Sequence, residues 1–468
     1  MPSASILLNN FHLGGIADSK YSGIPNSFAS AIGLNLHAEP GVLKVNQKTT
    51  KESGSNIDDI PSRILPASDG KTYIFCRTNG KIWERASNGT YTLVHTDTNP
   101  SPGILNAIEY MGYLYWFTAA KVGRWSIGAA WASANDAYAS FSVGNSLHHP
   151  AVIKNLILYI GDGYQVAQID ETGTFVGDAL DLETKFVISA IGEAASDILP
   201  GATIASGNVV QTKVFRWNTY APSFTSEDTV FEVGVNAFLP ADNVVIAQCG
   251  QKGNIYSYNG EELQQFKRIA CDWSSTNKAF VNAAAVANYQ GLPLFGLSNQ
   301  SGNPASQGVY SFGSFSANYP QILNLEYVIS TGNITGVEIG AIAVVGDDIL
   351  IGWKDTTGGT TYGVDKVDWT AKYASAFLET RVLTLDRMNG KDMAVRIAYR
   401  SLPANTAITL QKSVNGAPYE SVTLRKDDTR KLYETTVKIA GAGSCQLKFG
   451  FTVSSNNAPE VEMIQIDY

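Results

Sequence analysis

The sequence predicts an all-β fold: a β-propeller, most simply of seven blades, with a C-terminal β-sandwich and an N-terminal extended arm. Three observations carry the prediction. A strand core recurs seven times, the composition suits short strands and tight turns, and the strand rhythm changes near residue 378.

The core pairs a β-branched residue with aromatics. It runs Ile82-Trp83-Glu84-Arg85, Val122-Gly123-Arg124-Trp125, Val166-Ala167-Gln168-Ile169, Val214-Phe215-Arg216-Trp217, Ile255-Tyr256-Ser257-Tyr258, Val309-Tyr310-Ser311-Phe312 and, most weakly, Val364-Asp365-Lys366-Val367. Successive copies begin 40 to 55 residues apart, the interval of a four-stranded blade. Two apolar runs divided by a turn precede the core, as in Ala151-Val152-Ile153, Lys154-Asn155, Leu156-Ile157-Leu158-Tyr159-Ile160. Continuous apolar runs suit strands buried on both faces, as they are between neighbouring blades. Asn79-Gly80, Asn88-Gly89 and Asn259-Gly260 are expected as type I′ hairpin turns, which need positive φ at both central residues. The Ser/Ala/Asn/Gly-rich stretches at 133–146 and 296–319 leave counts of six or eight blades open. The other reading of the repeat is a string of unrelated hairpins.

The composition agrees with this. The chain has 468 residues, enough for two or three domains, and is 44% apolar and 16% charged. Its 43 Gly stand beside 22 Tyr, 19 Phe and 8 Trp, and long segments of helical period are missing. The net charge of −8 disfavours the basic stripe with which a nucleic-acid binder neutralises phosphates.

The propeller is expected over residues 63–377 and the sandwich over 378–468. From 378 onward, short strands alternate apolar with polar residues, as in Ala394-Val395-Arg396-Ile397-Ala398-Tyr399 and Gln446-Leu447-Lys448-Phe449-Gly450-Phe451, with turns at Asn389-Gly390 and Asn415-Gly416. Residues 1–62 fit neither unit. They read as an arm, with 47–62 a polar linker. Phe11, Leu13, Ile16 and Phe28 lie among glycines and polar residues, so the arm cannot build a core of its own. These four are the candidate interface residues for a neighbouring subunit. Deleting residues 1–50 is then expected to weaken assembly while leaving the propeller folded. The alternative is that the arm completes a blade of its own subunit.

Catalytic and metal-binding constellations are not legible. Cys76, Cys249, Cys271 and Cys445 are scattered and read as small buried hydrophobes. His148 and His149 are adjacent and followed by Pro150, which suits a loop pair rather than a metal site. Ser146 lacks the second glycine of a nucleophile elbow. Gly161-Asp162-Gly163 and Asp170-Glu171-Thr172-Gly173 read as separate turns rather than a calcium loop. Ser68-Asp69-Gly70-Lys71-Thr72-Tyr73 is faintly similar to the turn motif of sialidases, compressed and not repeated. No cofactor and no metal are expected, and the chain is expected not to be an enzyme. The N-terminus lacks the basic and apolar regions of a signal peptide, and no run is long enough for a membrane anchor, so synthesis in a reducing cytoplasm is expected.

The two ends carry a resemblance. Asn9-Asn10-Phe11-His12-Leu13-Gly14-Gly15-Ile16-Ala17-Asp18-Ser19, followed by Gly23, Asn26-Ser27-Phe28-Ala29 and Leu34-Asn35-Leu36, resembles the start of phage virion proteins. The stretch from Arg396 to Tyr468 resembles their last β-domain. A propeller with an added β-domain is also similar to the tail hub, or nozzle, of short-tailed phages. The resemblance implies a structural virion subunit located in the tail. It further implies a homo-oligomeric ring, commonly six-fold, that binds other tail or connector proteins and is traversed by DNA without sequence-specific contacts. The alternatives are a carbohydrate- or surface-binding propeller and, behind it, a propeller glycosidase.

Overall fold

Each of the seven recurring cores falls on the third strand of its own four-stranded antiparallel sheet. Those third strands are Lys81–Arg85, Lys121–Ser126, Gln165–Ile169, Val209–Arg216, Asn254–Tyr258, Gly308–Gly313 and Thr361–Lys372. The structure is a computed structural model. It describes residues 5–52, 56–99, 103–206, 209–241, 245–260, 262–269, 271, 273, 278–299, 306–314, 316, 319–384, 392–439 and 442–468. The Asn389-Gly390 turn lies outside these residues.

The first strands of the seven sheets are Pro61–Pro66, Asn106–Tyr110, Ala151–Lys154, Val187–Glu193, Val235–Leu239, Ala279–Tyr289 and Val337–Val345. Each touches the next, and the last returns to the first, so the sheets close into a ring of seven blades. The apolar runs do what the sequence requires of them. Thr72–Cys76, a second strand, is buried at every position, because a neighbouring blade covers each face. Blades approach closely where glycine permits it: a Cβ on Gly340, in the seventh blade, would stand 2.0 Å from the Pro61 carbonyl oxygen of the first.

The outermost strand of the seventh blade comes from the other end of the chain. Gln47–Lys51 pairs antiparallel with Thr361–Lys372, setting Thr49 opposite Val367 and Lys51 opposite Asp365. This segment was expected as a linker. An outer blade strand is wetted on one side, and here Thr49 is its only buried residue, so no apolar pattern betrays it. Thr49 Oγ1 donates to the Val328 carbonyl at 2.6 Å. Just beyond the strand, the Glu52 carboxylate grips Arg85 of the first blade, with Nε and Nη2 at 2.7 and 2.6 Å, and accepts from the Tyr91 hydroxyl.

The C-terminal unit is a sandwich of two sheets. One is ordered Ser5–Leu8, Glu460–Asp467, Met393–Ser401, Leu432–Val437, Arg425–Asp427. The other runs Ser30–Ile32, Ser375–Glu379, Ser444–Thr452, Ala407–Val414, Glu420–Val422, with Leu383–Thr384 paired beside it. Burial alternates strictly along Met393–Ser401 and Ser444–Thr452, as the apolar/polar alternation predicts. The sandwich begins at Ser375, a few residues before the expected boundary.

The expected arm of residues 1–62 is therefore not a separate unit. It gives one strand to each sheet of the sandwich and one to the seventh blade, and Pro61 opens the first blade. Between these strands it lies along the sixth blade, where Ile16 N donates to the Leu323 carbonyl at 2.8 Å.

The expected turn types also need correction. Gly80, Gly89 and Gly260 have positive φ, but their preceding asparagines do not. Those side chains instead accept from backbone N–H groups two or three residues on: Lys81 to Asn79 at 3.1 Å, Thr90 to Asn88 at 3.0 Å, Glu262 to Asn259 at 2.9 Å. Positive-φ pairs among the described residues include Asn415-Gly416, at an expected turn, and Met111-Gly112, Asn155-Leu156 and Gln290-Gly291 in the first hairpins of their blades.

Candidate functional site

The innermost strands decide what faces the propeller axis. Consecutive residues of one such strand border the channel, as Asn106, Ala107 and Ile108 do. The channel opens into a vestibule of about 980 Å³ lined by Arg63, Val152, Lys154, Ile191, Glu193 and Phe238. Beyond Arg63, Ile191 and Phe238 it narrows to a chamber of about 60 Å³ that also touches Asn106, His148 and Pro150.

The charges in this channel are unequally satisfied. Lys154 Nζ meets Glu193 at 2.8 Å and the Ala194 and Ala195 carbonyls at 3.0 Å. Arg77 meets Glu338 at 2.6 Å and Asn282 at 2.7 Å. Arg63 has no ion-pair partner among the described residues, and its Nε is buried without a hydrogen bond. Burial pulls its basicity below the usual guanidinium range. Asn106 donates to the His149 carbonyl at 2.9 Å while its side-chain oxygen accepts from Ala107 N.

The two adjacent histidines differ in setting. His149 is wholly buried, stacked on Phe141 with centroids 4.0 Å apart, and its Nδ1 lies 2.7 Å from the Gly161 carbonyl. His148 faces the chamber. Burial first, and then the positive fields of His149, Arg77 and Arg63, push its pKa down to about 3, against a weaker upward pull from the Leu105 carbonyl. The unfolded chain regains an ordinary histidine near 6.5, so it binds the proton that the folded chain refuses. His148 therefore costs stability as pH falls from about 6.5 towards 3, and nothing above 6.5. Urea unfolding of wild type and His148→Gln is expected to show the two curves converging or crossing in that window, with the wild type losing more.

Two carboxylates described beside the channel, Glu193 and Glu338, are each held by a cation. Glu193 ends its strand and Glu338 stands second in its own, which places them towards opposite mouths. Glycoside hydrolysis needs two carboxyls within about 5–9.5 Å. The described residues hold no group of three or more His, Cys, Asp or Glu arranged for a metal.

Three of the four interface candidates from the sequence are buried within this chain. Phe11 (1% exposed), Ile16 (5%) and Phe28 (0%) belong to the chain's own core, and Leu13 is half-buried beside them. Ile16 bridges Phe28, and both close over the sixth blade and the sandwich. Burial against the same chain satisfies the apolar residues that the arm could not satisfy alone, so the alternative of an arm that completes its own subunit is the one observed.

The remaining motifs resolve into turns. Asp162 is fully buried and accepts from Ser142, Val143 and Gly144 N–H groups, pinning the loop that enters the third blade. Asp170 caps its own turn through Thr172 and Thr174. Asp69 accepts from Lys71 N and the Tyr73 hydroxyl in a hairpin of the first blade. The cysteines are free thiols, three of them buried, and burial raises Cys445 to about 11. Trp131 has Trp125 stacked at 4.1 Å and His95 at 5.3 Å. Sequence reasoning missed Arg63, whose signal is a lone charge inside Ser62-Arg63-Ile64-Leu65.

No family model and no curated protein matches the chain. Solved structures similar to it include the extracellular domain of a putative hybrid two component system from B. thetaiotaomicron (14% identity, 76% of this chain and 44% of that one, TM-score 0.45). They also include a streptogramin B lyase (10% identity, 69% and 98%, TM-score 0.47) and virginiamycin B lyase from Staphylococcus aureus (12% identity, 68% and 98%, TM-score 0.46). The chain spans about half the length of two structures of that extracellular domain, at 44% and 51%. What the blade pairing itself establishes is an all-β chain with a seven-bladed propeller and an interlocked sandwich.

Proposed function

We propose that this chain is a structural subunit of a tailed-phage virion, a tail hub or nozzle component that forms a ring and docks to other tail or connector proteins. The observation that carries the reading is the interlock. One N-terminal segment supplies strands to both sheets of the sandwich and to the closing blade, so backbone ladders tie the two units together. Modules tied in this way suit a part of an assembly more than one that opens around a substrate. A chamber of about 60 Å³ has room for about four waters, so any DNA conduit would lie between subunits and not through the propeller axis.

Surfaces for such contacts exist outside the blade cores. Phe231 is 92% exposed and Leu147 78% exposed in loops between blades, while Tyr220 is 84% exposed in a loop within the fourth blade. Isolated apolar residues on a surface are ordinary, but aromatics this exposed are the usual anchors of an interface. Replacing Phe231 and Tyr220 by Ser is expected to weaken self-association at least tenfold in sedimentation velocity, with the melting temperature unchanged. Mass spectrometry and cross-linking of purified virions test the whole reading. Absence of the protein from virions, or cleavage of a host polysaccharide by the purified chain, would overturn it.

A further inference from the structure

The channel holds one charge that the fold does not explain. A guanidinium taken out of water costs several kcal/mol unless it is paired, and proteins otherwise pair it or replace it. Lys154 and Arg77 obey that rule, each with a carboxylate within 2.8 Å. Arg63 does not. Its Nε is sealed from solvent without an acceptor, and no described carboxylate reaches its guanidinium. It stands where the vestibule meets the chamber, so its free N–H groups border space rather than packed protein.

We propose that this chamber is a binding site for a small oxyanion, a phosphate or a carboxylate, held by Arg63 with His148 beside it. The size fits: about 60 Å³ accommodates about four water-sized atoms, the bulk of one such group and little more. The chemistry fits too. A guanidinium presents its N–H groups as a planar fork that matches two oxygens of a carboxylate or phosphate. Asn106, also in the chamber wall, gives one of its two N–H groups to the His149 carbonyl and accepts from Ala107 N, which leaves a single N–H to add to the guanidinium. His148, neutral at ordinary pH, contributes a ring edge able to hydrogen-bond a protonated oxyanion. The vestibule supplies a path from solvent, and Phe238 and Ile191 supply the apolar wall that strengthens the charge interaction.

Thermal melting of the full chain in an anion-poor buffer, with inorganic phosphate or acetate added in series, tests the site. Wild type is expected to rise in melting temperature with one of the two anions, logarithmically once the anion exceeds its Kd, following one-site linkage. Arg63→Met, which removes the guanidinium, is expected to melt cooperatively without anion and to show no anion response. Arg63→Lys keeps the charge without the fork and should move the onset of the response to at least tenfold higher anion concentration. The imidazole resonance of His148 in wild type gives a second reading that does not depend on the folding of Arg63→Met. Bound anion offsets the positive field of Arg63 and must raise the pH at which His148 titrates. An equal response in wild type and Arg63→Met, or no response together with an unmoved His148 titration, would overturn the proposal. Response to phosphate alone or to acetate alone identifies the class of group.

Discussion

A chain lacking residues 1–52 is expected to fail to fold, giving neither a cooperative thermal transition nor protease-resistant fragments. The sequence alone suggested that this segment could be removed with the propeller intact; the structure reverses that expectation. Truncation removes Leu8, Phe11, Ile16, Phe28, Leu34, Leu36, Leu43 and Val45, each no more than 5% exposed. Burial of one such side chain contributes about 1.5–3 kcal/mol, and an entire domain is stable by only about 5–15 kcal/mol. The loss also strips the outer strand from the seventh blade and an edge strand from each sheet of the sandwich, leaving backbone donors and acceptors unpaired. Circular dichroism and limited proteolysis of the truncated chain check the result. A cooperative melt within a few degrees of the full chain would show that the arm is dispensable.

The second large effect is expected at the clasp behind the closing strand. Arg85 is 4% exposed and Glu52 10%, joined by two hydrogen bonds, with Asp348 at 3.9 Å from the same guanidinium. Removing one member leaves the other buried and unpaired, which costs about 3–5 kcal/mol. Arg85→Met and Glu52→Gln should each lower stability by about that much in urea unfolding. Arg85→Met combined with Glu52→Leu should lower it by clearly less than the sum, because no orphan charge remains. Additive losses would mean that the pair is not coupled, and that the closing strand is held by its ladder alone.

Much of the fold was legible because propeller strands are buried on both faces and repeat. Even the faint Val364-Asp365-Lys366-Val367 lies on the third strand of its blade. The sandwich was legible for the opposite reason, since one wet face imposes strict alternation on strands such as Met393–Ser401. The arm was illegible. Its partners lie hundreds of residues away, and an edge strand such as Gln47–Lys51 buries one Thr and carries no period. Turn chemistry was half legible: an Asn-Gly pair marks a turn, but whether Asn takes positive φ or uses its side chain depends on neighbouring donors, as at Lys81 and Thr90. The candidate site was not foreseen, because the meaning of Arg63 lies in what fails to face it across the channel.

The closing strand also sets a timetable. Lys51 donates to the Tyr362 carbonyl across 311 positions of chain, and Ser5 reaches Asp467 across 462. At a ribosomal rate of about 5–20 residues per second, the N-terminal strands wait about 15–60 s or more before their partners exist. During that wait Phe11, Ile16 and Phe28 have nothing of their own to cover them, and six blades can stack without a seventh to shut the ring. Nascent chains of this protein should therefore pass through a prolonged stage in which the earliest segment made is the last to be placed. In that interval the same segment from a neighbouring nascent chain would fit the same groove equally well.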